Sequence, residues 1–443
     1  MMIRSIFCSL FAYSSVVICY ISLLTILIFL HPLTIFSPKS IHQISDSESS
    51  YLSIIDPHKT IKRRYTKMIN TFCCSHVTSL VKESTWQSRQ SRQSRQSNDA
   101  ILFVHGTSAS SLGFAKCMTK LSDVDIHAID LPGFGVSSIS NSMDTDATIS
   151  LIDKMEGLST IEIVDFYCDI LRQYILTNMK HKEKIILVGH SFGSFLCIHF
   201  ASRYPQFLQK LVLVNPGGIF PVYGAYANYW AIFFKLNLPQ SLLIKAKQSG
   251  WMDFLHSLVN YNIKVKEDNL FAHYYLELLS CENGFSSKYI GKFIDLGFIR
   301  CQWKDPCIVE LLNILFFEKE NIPIRFIYGE DDSIMPYLQG RTICDSDLQN
   351  ICDIACDPVS QASHAPYFDN LDEFCNVMRR ILISKEESRK KGTFSMKRKL
   401  DIDILRRNLL DQCFSTFCVK NAEKMIEKQY AIFREFVGGL FYP

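Results

Sequence analysis

The sequence lacks a marked excess of charge of either sign. Its 443 residues hold 47 Lys and Arg against 44 Asp and Glu, a net charge of +3, so we expect no nucleic-acid partner. The composition typical of disordered proteins, with few apolar residues, is absent too, since 48% of the residues are hydrophobic and 21% are charged. This composition excludes a wholly disordered chain, a collagen-like rod and a coiled coil, and it supplies enough apolar residues for a large core.

Paired cysteine motifs are absent as well. The 16 cysteines form no C-x-x-C pair, and Cys352 and Cys356 lie four positions apart without a matching Cys or His pair nearby. The sequence therefore carries no zinc signature, and its cysteine content is far below that of a small disulfide-stapled protein. We expect free thiols in a reducing compartment, no bound metal and no cofactor.

One long apolar run is present at the N-terminus. Ser5 to Leu30 is a run of 26 residues without a charged side chain, directly after Arg4. It exceeds the roughly 7–15 apolar residues of a signal peptide and is long enough to cross a bilayer core of about 30 Å. We predict an uncleaved membrane anchor over residues 1–38 in preference to a cleaved signal peptide, with its orientation left open. The expected location is an internal membrane, either the endoplasmic reticulum or the lipid-droplet surface.

The rest of the chain divides by composition into a core, an insertion and two flanking segments. Residues 39–97 form a predicted connector that ends in three tandem Ser-Arg-Gln units. Residues 98–216 and 321–384 alternate short apolar runs with helical patterns, and residues 217–320 interrupt them with an aromatic-rich, mostly helical cap. Residues 385–443 are a tail with a basic start, either solvated with one docking helix or attracted to an anionic membrane surface.

The apolar runs of the core have the length and boundaries of buried strands. Helical patterns over 161–179 and 192–203 lie between them. The runs are 101–104, 126–129, 184–188, 211–214 and 322–328, with a further candidate at 351–355. Strands that alternate with helices predict an α/β fold with a mainly parallel central sheet and helices on both faces. Ligands of such sheets bind beyond the carboxyl ends of the strands.

The strongest motif joins one of these strands to a helix. Residues 189–193 read G-H-S-F-G. In this context G-x-S-x-G predicts a nucleophile elbow, a turn so tight that Gly189 and Gly193 must flank the serine. The hydroxyl of Ser191 is then presented at a helix N-terminus, where backbone dipoles favour a developing anion.

A serine nucleophile needs a base, and the base needs a carboxylate that orients it. Asp332 follows a buried strand run and His364 lies in a later loop of small residues, which gives the chain order Ser, Asp, His. We therefore predict Ser191, Asp332 and His364 as the catalytic residues. Asp331 stays open as an alternative acid, whereas Glu330 is expected to be solvated.

Two backbone N–H groups must stabilise the oxyanion of an acyl-transfer intermediate. We predict the amide of Phe192, directly after the nucleophile, and the amide of Thr107, in the loop after the first strand run. Gly106 lets that loop approach closely, and His105 is expected to be structural.

Together these residues resemble the α/β-hydrolase fold. The resemblance covers about residues 100–384. It includes, in the right order, His105-Gly106, the D-L-P-G-F-G sequence at 130–135, the elbow, Gly329-x-x-Asp332 and His364. It implies a cap inserted over the sheet and a Ser-His-Asp triad.

Within that fold the chain resembles a lipid-metabolising subfamily, the N-acylphosphatidylethanolamine lipases and CGI-type lysophosphatidate acyltransferases. The resemblance rests on the L-V-N-P-G-G sequence at 213–218 and the Y-x3-F-x3-G-F-x-R pattern that starts at Tyr289. His364 and Asp369 also fit the H-x4-D pattern proposed there for acyl transfer. Because plain hydrolases of this fold carry an acid at the same place, Asp369 has a second interpretation as a residue that holds the loop.

These observations favour a membrane-anchored serine hydrolase that cleaves a lipid carboxylic ester through an acyl-enzyme, like a lipase or phospholipase. Its expected partners are a lipid or acyl-ester substrate and a membrane. One alternative is acyl transfer to a lysophospholipid at the same site. Another is a non-catalytic scaffold that binds lipid. The oligomeric state stays open.

Overall fold

The structure, a computed structural model, describes most of the predicted core. The described residues are 42–68, 76–84, 99–107, 109–121, 124–137, 157–218, 222–223, 243–244, 246–262, 265–279, 294–296, 300–303, 311, 322–332, 335, 337–344 and 353–383. The predicted anchor at 1–38, the Ser-Arg-Gln units at 88–96, the tail at 385–443 and much of the cap lie outside them. Within the described part of the chain, no helix has the length and apolar character needed to cross a membrane.

The six predicted strands and two further ones form one eight-stranded sheet. Its strands are β1 (Ile61–Lys67), β2 (His76–Lys82), β3 (Ala100–Val104), β4 (Asp125–Asp130), β5 (Ile185–His190), β6 (Leu208–Val214), β10 (Ile324–Gly329) and β11 (Ile354–Val359). A small separate sheet consists of the strands β7 (Val222–Tyr223), β8 (Ile294–Leu296) and β9 (Arg300–Trp303). The large sheet has the order β1-β2-β4-β3-β5-β6-β10-β11. All pairs from β4 to β11 are parallel, which confirms the predicted mainly parallel sheet.

Helices connect these strands. They are α1 (His42–Ile55), α2 (Ala115–Lys120), α3 (Thr160–Asn178), α4 (Phe192–Arg203), α5 (Met252–Asn262), α6 (Lys266–Leu279), α7 (Tyr337–Cys344), α8 (Pro366–Asp369) and α9 (Leu371–Ile383). α3 begins with a capping box, in which the Ser159 side chain accepts from the amide of Glu162 and the Glu162 carboxylate accepts from the amide of Ser159. Such a box satisfies two backbone donors that the helix leaves unpaired.

The helices cover both faces of the sheet because neighbouring residues of a strand point in opposite directions. On β3, Val104 packs into an apolar cluster with Tyr167 of α3 and Phe195 of α4. The preceding residue, Phe103, packs into a second cluster with Phe374 of α9. The two clusters confirm the predicted covering of the sheet on both sides.

The sheet begins inside the segment 39–97, which the composition had assigned to a connector. α1, β1 and β2 lie there, and β2 pairs antiparallel with both β1 and β4. The connector prediction is wrong for this part because β1 reads I-K-R-R-Y-T-K and lacks the apolar run of a central strand. Among the described strands β1 pairs with β2 alone, at the edge of the sheet, and its basic side chains hinder pairing with a further chain.

A buried ion cluster fixes α1 to the sheet. Arg63 on β1 donates from Nη1 to Asp130 at 2.6 Å and to Ser111 at 3.0 Å, and from Nε to Glu48 of α1 at 2.9 Å. Burial alone would lower the pKa of Arg63, but the charges of Glu48 and Asp130 outweigh it and raise that pKa above its ordinary value. The guanidinium therefore stays charged between two carboxylates.

The cap contributes α5 and α6 to the described residues, and also the antiparallel strands β7, β9 and β8, so it is not only helical. α6 lies against α1, with the rings of Phe271 and Tyr51 at 5.3 Å between centroids. The hydroxyl of Tyr274 on α6 donates to Ser110 Oγ at 3.0 Å. These contacts place α6 beside the loop that follows β3.

Candidate active site

Ser191 occupies a strained turn between β5 and α4. Its backbone angles are φ 52° and ψ −117°, a region that a residue with a Cβ atom rarely adopts. The turn is held by backbone hydrogen bonds, since the amide of Ser191 donates to Val214 at 2.9 Å and its carbonyl accepts from Gly217 at 3.2 Å. The predicted elbow residues thus form a tight strand-to-helix turn, with Ser191 directly before the first residue of α4.

The two glycines of the motif are required by space. A Cβ atom on Gly189 would lie 2.5 Å from the carbonyl oxygen of Gly193. A Cβ atom on Gly193 would lie 2.5 Å from the carbonyl oxygen of His105, at the end of β3. Because the opposing atoms belong to the backbone, neither contact can be relieved by a side-chain rotation.

His364 bridges the other two predicted catalytic residues. Its Nε2 lies 3.0 Å from Ser191 Oγ, and its Nδ1 lies 2.8 Å from Asp332 Oδ2. A carboxylate only accepts hydrogen bonds, so Nδ1 carries the proton and Nε2 accepts from the serine hydroxyl. Asp331, the alternative acid, and Glu330 are exposed, whereas the Asp332 side chain has no exposed area.

Asp332 is oriented by a network that the sequence did not predict. Asn215, the residue after β6, donates from Nδ2 to Asp332 Oδ2, and the amide of Met335 donates to Oδ1 at 3.0 Å. Asn215 also accepts at Oδ1 from the amide of Gly329 at 3.3 Å. The only signal in the sequence was the position of Asn215 at the carboxyl end of a strand run, in the quoted L-V-N-P-G-G sequence.

The two predicted oxyanion donors belong to segments that adjoin Ser191. Phe192 is the first residue of α4, so its amide belongs to the first turn at the positive end of the helix. Thr107 follows Gly106, and a Cβ atom on Gly106 would lie 2.9 Å from Ser191 Cβ. The loop after β3 therefore passes close to Ser191, where the second donor of the predicted oxyanion hole is required.

His105 is structural, as predicted. Its Nδ1 donates to the carbonyl oxygen of Gly106 at 2.8 Å, and its Nε2 accepts from the amide of Leu131 at 3.1 Å. Burial lowers the pKa of His105, so the ring is neutral. It joins the loops that follow β3 and β4.

Two further residues beside Ser191 and His364 were not predicted. His190, the last residue of β5, has Nε2 2.7 Å from the carbonyl oxygen of His364. The hydroxyl of Tyr367 lies 3.3 Å from His190 Nδ1. His190 lies in the G-H-S-F-G motif and Tyr367 lies between His364 and Asp369, but nothing in the sequence indicates that the two side chains are in contact.

Asp369 contacts the loop that carries His364. Its Oδ2 accepts a hydrogen bond from the amide of Ser363 at 2.8 Å, directly before His364. This contact supports the interpretation of Asp369 as a residue that holds the loop.

Comparisons with known proteins identify the family and several relatives. The family described as alpha/beta hydrolase fold matches residues 99–371. The 1-acylglycerol-3-phosphate O-acyltransferase ICT1 of Saccharomyces cerevisiae is 25% identical over 323 residues, which cover 62% of this chain and 80% of the relative. Protein ECM18 of the same yeast is 28% identical over 209 residues, and the match spans 42% of this chain and 44% of that protein.

A solved structure, that of a membrane phospholipase A described as a novel bacterial virulence factor, is 13% identical to this chain with a TM-score of 0.49. The match covers 84% of this chain and 97% of that structure.

Proposed function

This chain belongs to the α/β-hydrolase fold family, and from that premise we propose that it is a membrane-anchored serine hydrolase that cleaves a carboxylic ester of a lipid. The observation that carries the proposal is the pair of hydrogen bonds that His364 makes to Ser191 Oγ and to Asp332 Oδ2. A serine next to a base, with the base oriented by a buried carboxylate, is the arrangement that activates a hydroxyl for attack on an acyl carbonyl.

The reaction proceeds through an acyl-enzyme. Ser191 Oγ attacks the ester carbonyl while His364 Nε2 takes its proton, and the same proton then goes to the leaving alcohol. Asp332 keeps the proton on Nδ1 of His364 and stabilises the imidazolium that forms. Water then attacks the acyl-serine with His364 again as base, which releases the fatty acid and restores the free hydroxyl.

The amides of Phe192 and Thr107 are the proposed donors that stabilise the negative charge on the carbonyl oxygen. Each such donor contributes about 3–4 kcal/mol to transition-state stabilisation in other enzymes of this chemistry. The N-terminus of α4 adds the favourable end of a helix dipole at the same place.

A lipid substrate is supported by two independent observations. The yeast relative that this chain covers over 80% of its length is named an acyltransferase of 1-acylglycerol-3-phosphate. The uncharged run from Ser5 to Leu30 is long enough to anchor the chain in a bilayer, at an internal membrane in our proposal, which keeps the site close to lipid esters.

The test is covalent labelling of the full-length protein in a membrane fraction with a fluorophosphonate. This reagent phosphonylates a serine that has a working base and oxyanion hole. We expect labelling of the wild type and of Ser53→Ala, which changes an exposed serine of α1, and no labelling of Ser191→Ala. Folded wild-type protein that does not react would contradict the proposal and favour the non-catalytic lipid-binding scaffold.

Acyl transfer to a lysophospholipid is the second candidate, and the name of the yeast relative favours it. The same acyl-serine forms, but a lipid hydroxyl replaces water as the acceptor. Incubation with a labelled lysophosphatidate and acyl-CoA separates the two reactions, because hydrolysis yields free fatty acid whereas transfer yields labelled phosphatidate. Loss of either product in Ser191→Ala assigns it to this site.

The anchor has its own test. Deletion of residues 1–38 ends before α1, which is part of the described fold. We expect the shortened protein to leave the membrane fraction and to keep its activity on a soluble short-chain ester. Shortened protein that stays membrane-bound after an alkaline carbonate wash would contradict the anchor.

A further inference from the structure

His190 lies where three parts of the active site meet. It ends β5 directly before Ser191, and only 5% of its surface is exposed. Its Nε2 lies 2.7 Å from the carbonyl oxygen of His364, on the backbone of the proposed base. A Cβ atom on Gly106 would lie 2.9 Å from His190 Nδ1, so the ring also packs against the loop that carries Thr107.

The hydrogen bonds of the ring define which nitrogen carries its proton. The carbonyl oxygen of His364 only accepts, so the proton of His190 is on Nε2. Nδ1 is then an acceptor, and it faces the hydroxyl of Tyr367 at 3.3 Å. Burial, together with the nearby His364, lowers the pKa of His190 to about 3, and burial raises the pKa of Tyr367. The ring is therefore neutral and the phenol protonated at neutral pH.

We propose that His190 is a positioning residue whose Nε2–H holds the backbone of His364 within reach of Ser191, and that Tyr367 keeps His190 in the tautomer this requires. The proposal rests on the proposed serine-hydrolase function. It means that His190, directly before the nucleophile, makes a hydrogen bond to the backbone of the base His364, 174 positions later in the chain.

The link matters because His364 stands on a loop and 22% of its side chain is exposed. Its side-chain bonds to Ser191 and Asp332 fix the ring, but the position of the ring also depends on where the backbone of the loop lies. A displacement of about 1 Å at a catalytic group can lower a rate about 100-fold. A buried donor on a central strand is a more rigid support than the loop itself.

Tyr367 contributes through the proton on His190. If the proton moved to Nδ1, the lone pair of Nε2 would face the carbonyl oxygen of His364, and two acceptors would repel each other. The hydroxyl of Tyr367 stabilises the productive tautomer by donating to Nδ1. Its ring also packs edge-on to His190, at 5.0 Å between centroids.

The test compares two amides at position 190. Glutamine places an amide nitrogen near the site of Nε2, whereas asparagine places it near the site of Nδ1 and is too short to reach the carbonyl of His364. With full-length protein and a soluble p-nitrophenyl ester, we expect His190→Asn to lower kcat about 10- to 100-fold with little change in KM. We expect His190→Gln to recover most of that loss. His58→Asn, at an exposed histidine, is the control.

Tyr367→Phe is measured in the same assay, with an expected fall in kcat of about 3- to 10-fold. Thermal unfolding of each variant shows whether it is folded. Equal kcat in wild type and folded His190→Asn, or equal losses in the Asn and Gln variants, would overturn the positioning role. If neither variant at position 190 folds, an unchanged kcat in Tyr367→Phe overturns it.

The labelling experiment separates this inference from the function on which it rests. Wild-type protein that does not react with a fluorophosphonate contradicts the proposed function. Wild type that reacts at the same rate as folded His190→Asn contradicts the positioning role alone.

Discussion

Asn215 and Asp332 share a hydrogen bond that joins the ends of two neighbouring strands. The amide nitrogen Nδ2 of Asn215, after β6, donates to Oδ2 of Asp332, after β10. The same oxygen accepts from His364 Nδ1 at 2.8 Å. Oδ2 of Asp332 therefore accepts from two donors at once, and the carboxylate cannot rotate without losing both bonds.

Replacement of Asn215 by aspartate should impair catalysis more than its replacement by glycine. Both residues tolerate the positive φ of 42° at this position, so the backbone is kept. Glycine removes one donor, whereas aspartate adds a carboxylate that repels Asp332. We expect kcat/KM to fall in the order wild type, Asn215→Gly, Asn215→Asp. Higher activity in the aspartate variant than in the glycine variant would contradict this role of Asn215.

Asp332→Asn should lower kcat by about 10⁴-fold, as the equivalent change does in other triads, because the base then adopts the wrong tautomer. Asp331→Asn is the matched control, since Asp331 is exposed and makes no bond to His364 in the structure. We expect its kcat to stay within about twofold of wild type. Steady-state kinetics on a soluble ester measures both, and a larger loss in the Asp331 variant would assign the acid to that residue.

Arg63→Ala should destabilise the fold by about 3–5 kcal/mol because it leaves Glu48 and Asp130 buried without their cation. The adjacent Arg64 is the control, since 37% of its side chain is exposed and its partner Glu83 is 70% exposed. We expect Arg64→Ala to change the free energy of unfolding by less than about 1 kcal/mol. Urea unfolding in detergent measures the difference, and equal stabilities would contradict a structural role of the buried cluster.

The free energy of unfolding should decrease as the pH falls below about 6.5, the ordinary pKa of histidine. Burial lowers the pKa of His127 to about 4, with a smaller effect from Arg64. Between pH 6.5 and 4, His127 is therefore protonated in the unfolded chain but neutral in the folded protein. The slope that His127 adds is at most about 1.4 kcal/mol per pH unit between pH 6.5 and 4, and it vanishes above that range.

The pH dependence is measured by urea unfolding at several pH values. We expect a shallower decrease in His127→Gln than in wild type, and no change in slope for His58→Gln, which alters an exposed histidine. Parallel curves for wild type and the His127 variant would show that this residue is not the source of the effect.

The sequence predicted the parts of the site that depend on chain order. Ser191, Asp332 and His364 follow apolar strand runs in a fixed succession, and the glycines of the elbow are local to it. The partnership of Asn215 with Asp332 depends instead on β6 and β10 being neighbours in the sheet, although more than 100 residues separate them in the chain.

Three other features could not be predicted from the sequence, for related physical reasons. The contact of His190 with His364 joins a strand end to a loop that arrives much later in the chain. β1 was missed because an edge strand needs no continuous apolar run. The choice between Asp331 and Asp332 also required the structure, because adjacent side chains after a strand point in different directions.

The order of the strands has a consequence for the protein while it is being synthesised. β5 and β6 are complete long before β10, which pairs with β6, has left the ribosome. Until then the apolar edge of β6 is open to pairing with other nascent chains. A chaperone that prevents such aggregation would act during this interval. Ser191 also lacks its hydrogen-bond partner His364 during this time, because His364 comes 173 residues later. Under the proposed function, a translation product that is truncated before His364 therefore carries a serine that is not activated.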